Sequence, residues 1–346
     1  MIGRVDERTD FFRKVDNFAK KASISSTCIF GDDDCGPAFI TIAIPTYKRA
    51  SLLKDALDSA LSQDAECACP VIVVDNNAGR GDETEVLMDA YRDRKHVVYF
   101  KNKENLGMGG NWNRCLELAR STWVVLLHDD DCLDAGFLRK VLPYLKNMKM
   151  GILQTRKYTD PDKRPVRRFH NLKKVGRLDM LYAHSLDVPS GIVYHRDSVL
   201  AAGGFNDDFY PSLDYCFHTV FLGRNPVYIL NEDLTYYRVA VNASQSPEVQ
   251  EAWLVNGYYL NRQVLRRYGF PSWIVGPFLQ IRTERARDTI EGVWHGGLGI
   301  PECLPAAHFS PFRRAVSYLT VNAAVLYEKL KARTCCLWNV LKMKLK

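Results

Sequence analysis

No stretch of the 346-residue chain reaches the ~18 consecutive apolar residues that a membrane-spanning helix needs. The longest candidate, Ser317 to Leu326, is far shorter. Arg4, Asp6, Glu7, Arg8 and Asp10 put charge where a secretory leader would be apolar, so none is expected. The ten cysteines include no C-x-x-C pair. Cys67 and Cys69, like Cys335 and Cys336, are too close for an ordinary disulfide or a zinc ribbon. Scattered thiols in a long chain predict a reduced, cytosolic protein. No G-x-G-x-x-G follows the first apolar strand, and Gly107-Met-Gly109-Gly110 has the wrong spacing, which argues against a NAD-dependent dehydrogenase. The absence of G-x-x-x-x-G-K-[ST] excludes a P-loop.

The composition is that of a globular protein, 47% hydrophobic and 25% charged. The length suits one large domain with an appendage. The 47 Lys and Arg outnumber the 40 Asp and Glu, a net charge of +7. Residues 313–346 hold eight basic residues and one acid, 8 − 1 = +7, equal to the whole excess. A basic tail points to a negative surface. It lacks the aromatic or glycine interleaving of stacking platforms, so no nucleic-acid partner is expected.

Strand and helix patterns alternate from Phe39 onward. Phe39 to Pro45 is an apolar strand followed by a helix near 51–62, with Ser51 as candidate N-cap. Val71 to Val74, Val97 to Phe100 and Trp123 to Leu127 are further strands, with helices near 83–93 and from about Asn105 to Ala119 between them. This alternation is the signature of an α/β fold with a doubly wound, mainly parallel sheet. Each strand ends in polar residues: Thr46, Asp75, Asn105 and Asp129. Ligands of such sheets bind at those strand ends.

The last of these strands delivers Asp129, Asp130 and Asp131 in succession. Acids at the end of a buried strand are costly unless they meet a cation, a ligand or water. Mg²⁺ and Mn²⁺ take such oxygens, sharing their shell with phosphate and water. A solvated turn is the alternative. The second triplet, residues 32–34, follows no apolar strand and reads as surface.

Ile-Pro-Thr-Tyr-Lys-Arg at 44–49, Val-Val-Asp-Asn-Asn at 73–77, Asn105-Leu-Gly through Asn113, and Leu-His-Asp-Asp-Asp at 127–131 resemble, in order and spacing, the family-2 glycosyltransferases of GT-A fold. The resemblance runs from residue 39 to about 240. It implies inverting transfer of a sugar from a nucleotide sugar, UDP- or dTDP-linked, to a hydroxyl of a glycan or lipid-linked acceptor, with Mn²⁺ or Mg²⁺. It implies that Pro45, Thr46, Tyr47 and Arg49 line the nucleotide pocket beside Asn76 and Asn105. Asp75 would accept from a uracil or thymine N3–H, Asn113 matches a recurrent helix Asn, and Asp129 would bind ribose. Asp130 would be the main metal ligand, supported by Asp131. Asp214, after the Gly203-Gly204-Phe205-Asn206 turn, matches the second acid of the family's Glu-Asp pair and would be the catalytic base.

The chain departs from the family pattern at four places. His128 stands where many members have an acid, Trp112 where many have Arg, and Leu213 replaces the Glu. Tyr236-Tyr237-Arg238 opens the family's Tyr-Arg-x-His run, but Val239, Ala240 and Val241 follow, so no imidazole on the metal is expected from it. Leu213 and the missing His leave a second reading: a non-catalytic nucleotide-sugar or carbohydrate-binding protein of the same fold.

The expected organisation is an N-terminal extension over 1–38 with a helix near 9–22, a catalytic domain over 39–245, and a helical region over 246–346. Residues 156–177 carry nine basic residues, two Pro and two acids without periodicity. They read as a loop, either solvated or closing over phosphate. Helices are predicted near 247–268, 276–291 and 312–341. In the last, Phe312, Val316, Leu319, Ala323, Leu326 and Leu330 form a stripe at helical spacing. It either packs on the domain or, with Trp338 and the lysines after it, lies on an anionic membrane surface. The second case would make the protein cytoplasmic and peripheral to the membrane.

Overall fold

The computed structural model describes residues 5–31, 38–64, 69–160, 172–181, 186, 188–239, 246–294, 297–305 and 308–344. Strand β1 (Ser26–Phe30) precedes the alternating unit β2 (Ile40–Thr46), α1 (Ala50–Leu61), β3 (Val71–Asp75), α2 (Glu83–Asp89), β4 (Val97–Asn102), α3 (Met108–Leu118) and β5 (Trp123–Leu126). Every residue of β2 and β3 is buried, because helices cover both faces of the sheet. Successive side chains point to opposite faces. Ile40, Ile42 and Ile44 therefore pack with Leu53 and Leu57 of α1 in one core. Ala43, Ile72 and Val74 meet Trp112, Cys115 and Leu116 of α3 in the other. Each such fully buried aliphatic side chain contributes about 1.5–3 kcal/mol.

Strands run β4-β3-β2-β5 in parallel. The chain goes from β2 to β3 and β4, then crosses back to the other side of β2 as β5. That reversal opens a crevice beyond the carboxyl ends of β2 and β5. Past β5 the sheet turns mixed. After β6 (Cys132–Leu133) and α4 (Phe137–Asn147) come β7 (Ile152–Tyr158), β8 (Leu172–Lys174) and β9 (Ile192–His195). Helices α5 (Arg196–Ala202) and α6 (Leu213–Leu222) lead to β10 (Val227–Tyr236). The order continues β5-β9-β7-β10-β6, with β8 on β10. The loop expected over 156–177 thus begins and ends as strand. Its residues 161–171 lie outside the described residues.

Two expectations are corrected. The predicted helix over 9–22 is a series of turns with one short 3₁₀ turn, Ala19–Lys21. The cause is local: Asp6 accepts from the Arg8 N–H, Asp10 from that of Phe12, and Asp16 from those of Phe18 and Ala19. Side-chain bonds of this kind satisfy N–H groups that a helix would need. The segment is also no mere appendage, since β1 pairs with β4 at the sheet edge and Phe18 enters the core. The first helix begins at Ala50, with Arg49 and not Ser51 at its N-cap position.

The C-terminal region is helical as expected: α7 (Pro247–Arg267), α8 (Ser272–Trp294) and α9 (Pro311–Lys344). Leu260, Val264, Ile274, Phe278, Val321 and Val325 form a third core, joined by Val5 and Phe11. Helix α9 then runs on to the sheet, where Cys336 is buried in the first core and Asn339 donates to the Tyr228 hydroxyl at 3.0 Å.

The predicted stripe on α9 faces outward. Phe312 is 77% exposed and Leu319 66%, with Leu326 and Leu330 exposed beside them. The packed face is instead Ser317, Val321, Val325, Ala332 and Cys336. Among the described residues no helix is long and apolar enough to cross a membrane.

Candidate active site

A cleft of about 930 Å³ opens at the crevice between β2 and β5. Its lining includes Pro45, Thr46, Tyr47, Arg49, Asn76, Asn105, Asp129, Asp130 and Asp214. Residues from four strand ends and the first turn of α6 thus share one wall. The Thr46 hydroxyl donates to Asp129 Oδ2 at 2.7 Å, joining the ends of β2 and β5. The Arg49 guanidinium lies 2.9 Å from Asp130 Oδ2 and 3.6 Å from Asp129 Oδ1. Asn76 donates to the Asn105 side chain at 2.8 Å and accepts from the Leu106 N–H, which shapes the rim.

Three predicted residues, Asp75, Asn113 and Asp131, sit outside the lining. Asp75 is 0% exposed and is absent from the lining. Its Oδ2 accepts from Lys101 Nζ and the Tyr99 hydroxyl, each at 2.8 Å, and its Oδ1 accepts from the Asn77 N–H at 2.9 Å. Burial pushes its pKa up, and Lys101 opposes that shift. Asn113 is also outside the lining. Its amide donates to the Phe205 carbonyl and accepts from the Phe205 N–H, both at 2.8 Å, pinning the turn before α6 to α3.

The start of α3 is likewise occupied. A helix N-terminus is a ready anion site, but here Asp207 accepts from the N–H groups of Gly109 and Gly110 at 2.8 and 3.1 Å. A Cβ on Gly109 would come within 2.7 Å of that carboxylate, which explains the glycine.

Asp131 lies behind the cleft wall and is 0% exposed. Its Oδ1 accepts the Arg238 N–H at 3.0 Å, and its Oδ2 is buried without a hydrogen-bond partner. Arg238 also donates from Nε to the Asp130 carbonyl and from its guanidinium to Asp55. The donor atoms of His128, Asp130 and Asp131 all lie within 4.8 Å of one another. His128 Nε2, too, is buried without a partner. Three clustered donor residues, two of them with an orphaned buried polar atom, fit a divalent cation, whose ligands are carboxylate oxygens and imidazole nitrogens. The sequence reading missed His128 as a donor. The signal was present as the one non-acid in His-Asp-Asp-Asp.

Burial pushes the carboxyls of Asp129 and Asp131 up to about 6 each, against the partial help of Thr46 and Ser190. Burial also pulls His128 down to about 4, leaving a neutral imidazole at neutral pH. The linkage has a definite sign. For Asp131, a folded pKa above the unfolded value means a penalty absent below pH 4 and fully present above pH 6. We therefore expect Asp131→Asn to stabilise the metal-free protein by about 3 kcal/mol at pH 7, at roughly 1.4 kcal/mol per pKa unit, and to lose that gain below pH 4. Urea unfolding of both proteins across this range checks it; a variant less stable than wild type at pH 7 contradicts it.

The opposite wall of the cleft comes from α7 and α8, a contribution the sequence did not reveal. Trp253, Leu254, Tyr258 and Asn261 of α7 face Arg282, Ala286 and Ile290 of α8 around it. Tyr237, beside Arg238, completes the rim.

Residues 41–202 match Glycosyl transferase family 2. The chain is 32% identical over 104 residues to the GalNAc(5)-diNAcBac-PP-undecaprenol beta-1,3-glucosyltransferase of Campylobacter jejuni, covering 30% of this chain and 33% of that one. It is 29% identical over 133 residues to the abequosyltransferase of Salmonella typhimurium, covering 38% and 40%. A longer match, 23% identical over 253 residues, covers 68% of this chain and 75% of an uncharacterized protein of Mycobacterium tuberculosis. A crystal structure of S. aureus TarS 1-349 in complex with UDP-GlcNAc superposes with a TM-score of 0.51 at 17% identity, covering 82% of this chain and 90% of that one. Residues 41–202, which place the polar strand ends around one crevice, are thus similar to glycosyltransferase family 2, and the sheet with its flanking helices has the GT-A fold.

Proposed function

We propose that the cleft binds a nucleotide-diphosphate sugar, UDP- or dTDP-linked, and transfers the sugar with inversion to an acceptor hydroxyl. The observation that carries this reading is the meeting of Asp129, Asp130 and Asp214 in one cleft at the sheet's reversal point. Tyr47, Asn76 and Asn105 would hold the base, with Pro45 and Thr46 behind them, and Asp129 the ribose. Arg49 and Arg282 offer positive charge to the diphosphate. Asp75 and Asn113 would act from outside the cleft, one fixing the Asn77 N–H and the other the turn before Asp214. Mn²⁺ or Mg²⁺ at His128, Asp130 and Asp131 would serve as a Lewis acid for charge on the leaving diphosphate.

Asp214 would take the proton of the attacking hydroxyl. It stands in the first turn of α6, accepts the Tyr215 N–H at 2.8 Å, and is held at the cleft edge by that bond. A single displacement with the base on the acceptor side inverts the anomeric carbon. The apolar and aromatic wall of α7 and α8 suits a glycan or a lipid-linked sugar as acceptor, and the Campylobacter relative is named for a polyprenyl-linked one. The proposed division is a catalytic domain over 39–245 whose cleft is completed by the helical region. Release of UDP or dTDP from their sugars, with and without Mn²⁺, tests the reading. Binding without any release would favour the non-catalytic alternative.

The outward stripe of α9 supports contact with the cytoplasmic face of a membrane. Exposed Phe312, Leu319, Leu326, Tyr327 and Leu330 are accompanied by exposed Arg313, Lys331 and Arg333. Near an anionic surface each cation contributes ~1 kcal/mol. We expect the full chain to sediment with anionic but not neutral vesicles at low salt. Leu319→Glu with Leu326→Glu, on the face away from the core, should release most of it. Equal sedimentation of the two proteins would remove the surface from consideration.

A further inference from the structure

We propose that His128 supplies an imidazole nitrogen to the cation site, making it a mixed nitrogen and oxygen site that prefers Mn²⁺ or Co²⁺ over Mg²⁺. The inference rests on the cation reading above and adds a ligand and a metal preference to it.

The first support is geometric. His128 follows β5 directly, so the strand that delivers Asp130 and Asp131 delivers the imidazole as well. The donor atoms of the three residues lie within 4.8 Å of one another, a spread that one ion can span with slight adjustment. The His128 ring is held from two sides. It stacks on Trp112, with centroids 5.3 Å apart and planes 16° from parallel. Its backbone N–H donates to Ser190 Oγ at 3.0 Å.

The second support is the unpartnered nitrogen. Packing against Trp112 needs only a flat ring, which Phe would provide without burying a polar atom. Here Nε2 is buried with no hydrogen bond, and Asp131 Oδ2, in a residue of the same cluster, is in the same condition. Buried polar atoms are otherwise almost always paired. A cation bound by this cluster would give both a partner. Arg49 engages Asp130 through Oδ2, and that carboxylate has a second oxygen to offer.

The third support comes from the run at 236–239. Arg238 gives Asp131 only its backbone N–H, and Val239 follows it. An imidazole reaches the acids from the β5 side instead. The chemical consequence concerns the ion. Oxygen-only sites suit Mg²⁺, whereas a nitrogen donor shifts preference along the transition-metal order.

The test uses the full chain with Mn²⁺ alone and Mn²⁺ with UDP or dTDP. Electron spin echo spectra of the bound Mn²⁺ should show nitrogen modulation in the wild type. His128→Phe, which keeps the stacking, and His128→Asp, which substitutes oxygen, should both lose it. Competition between the ions should show the Mn²⁺ to Mg²⁺ affinity ratio falling roughly tenfold or more in His128→Asp. Mn²⁺ bound to wild type without nitrogen modulation would overturn the inference and leave the cation reading standing. No Mn²⁺ binding under either condition would overturn both. The wild-type spectrum decides the matter even if a variant fails to fold.

Discussion

Asp214→Asn should reduce glycosyl transfer by ~10²–10⁴-fold, the range typical of a positioned base, with nucleotide affinity nearly unchanged. The acceptor hydroxyl loses its proton only as it attacks, so the base matters to the transition state and little to donor binding. Asn keeps the side chain's shape and can still accept the Tyr215 N–H, so α6 should start in the same place. Comparing transfer rates with calorimetric titration of the nucleotide separates these effects. A variant keeping more than about a tenth of the wild-type rate would remove Asp214 from the mechanism. Equal loss of nucleotide affinity would point to a binding residue.

Lys101→Met should cost about 3–5 kcal/mol of stability, the usual cost of leaving one partner of a buried ion pair alone. Lys101 is 3% exposed and Asp75 0%. Its ammonium also bonds Asp82 Oδ2 at 3.1 Å. Without it, Asp75 keeps only the Tyr99 hydroxyl and the Asn77 N–H. Asp75 then holds its proton to higher pH than in the unfolded chain. The deficit is therefore smallest near pH 4, grows as pH rises, and levels off once the folded-state carboxyl ionises. Adding Asp75→Asn should recover part of it. Urea midpoints across pH check this, and a loss under about 1 kcal/mol would mean that water reaches Asp75.

The central part of the fold was legible because its strands are short, apolar and polar-ended. Ile40–Thr46, Val71–Asp75 and Val97–Asn102 lie where the pattern put them. The N-terminal segment was not, since helical spacing there competes with Asp6, Asp10 and Asp16 bonding their own backbone. Periodicity found the stripe on α9 but could not say which way it faces. Small residues, Ser317, Ala332 and Cys336, make the packed face and carry little hydrophobic signal.

At the site, a motif names residue types but not their partners. Asp75 stands at the predicted strand end, yet Lys101, two strand positions beyond Tyr99, draws its carboxylate into the sheet. His128 looked like a departure from the acid pattern, and only the structure shows that a ring nitrogen comes within 4.8 Å of the Asp130 and Asp131 carboxylates. The α7 and α8 wall had no motif at all. Its lining residues are scattered along two ordinary amphipathic helices, 246 residues or more from the chain start.

The most direct test of the central claim is the unfolding free energy of the chain measured with UDP, dTDP, GDP and ADP in turn, each with and without Mn²⁺. The account predicts that UDP or dTDP with Mn²⁺ stabilises the protein by about 2.7 kcal/mol at 100 times the dissociation constant, and that chelation of the metal removes most of the gain. No stabilisation by any of the four nucleotides, with the metal present, would contradict it.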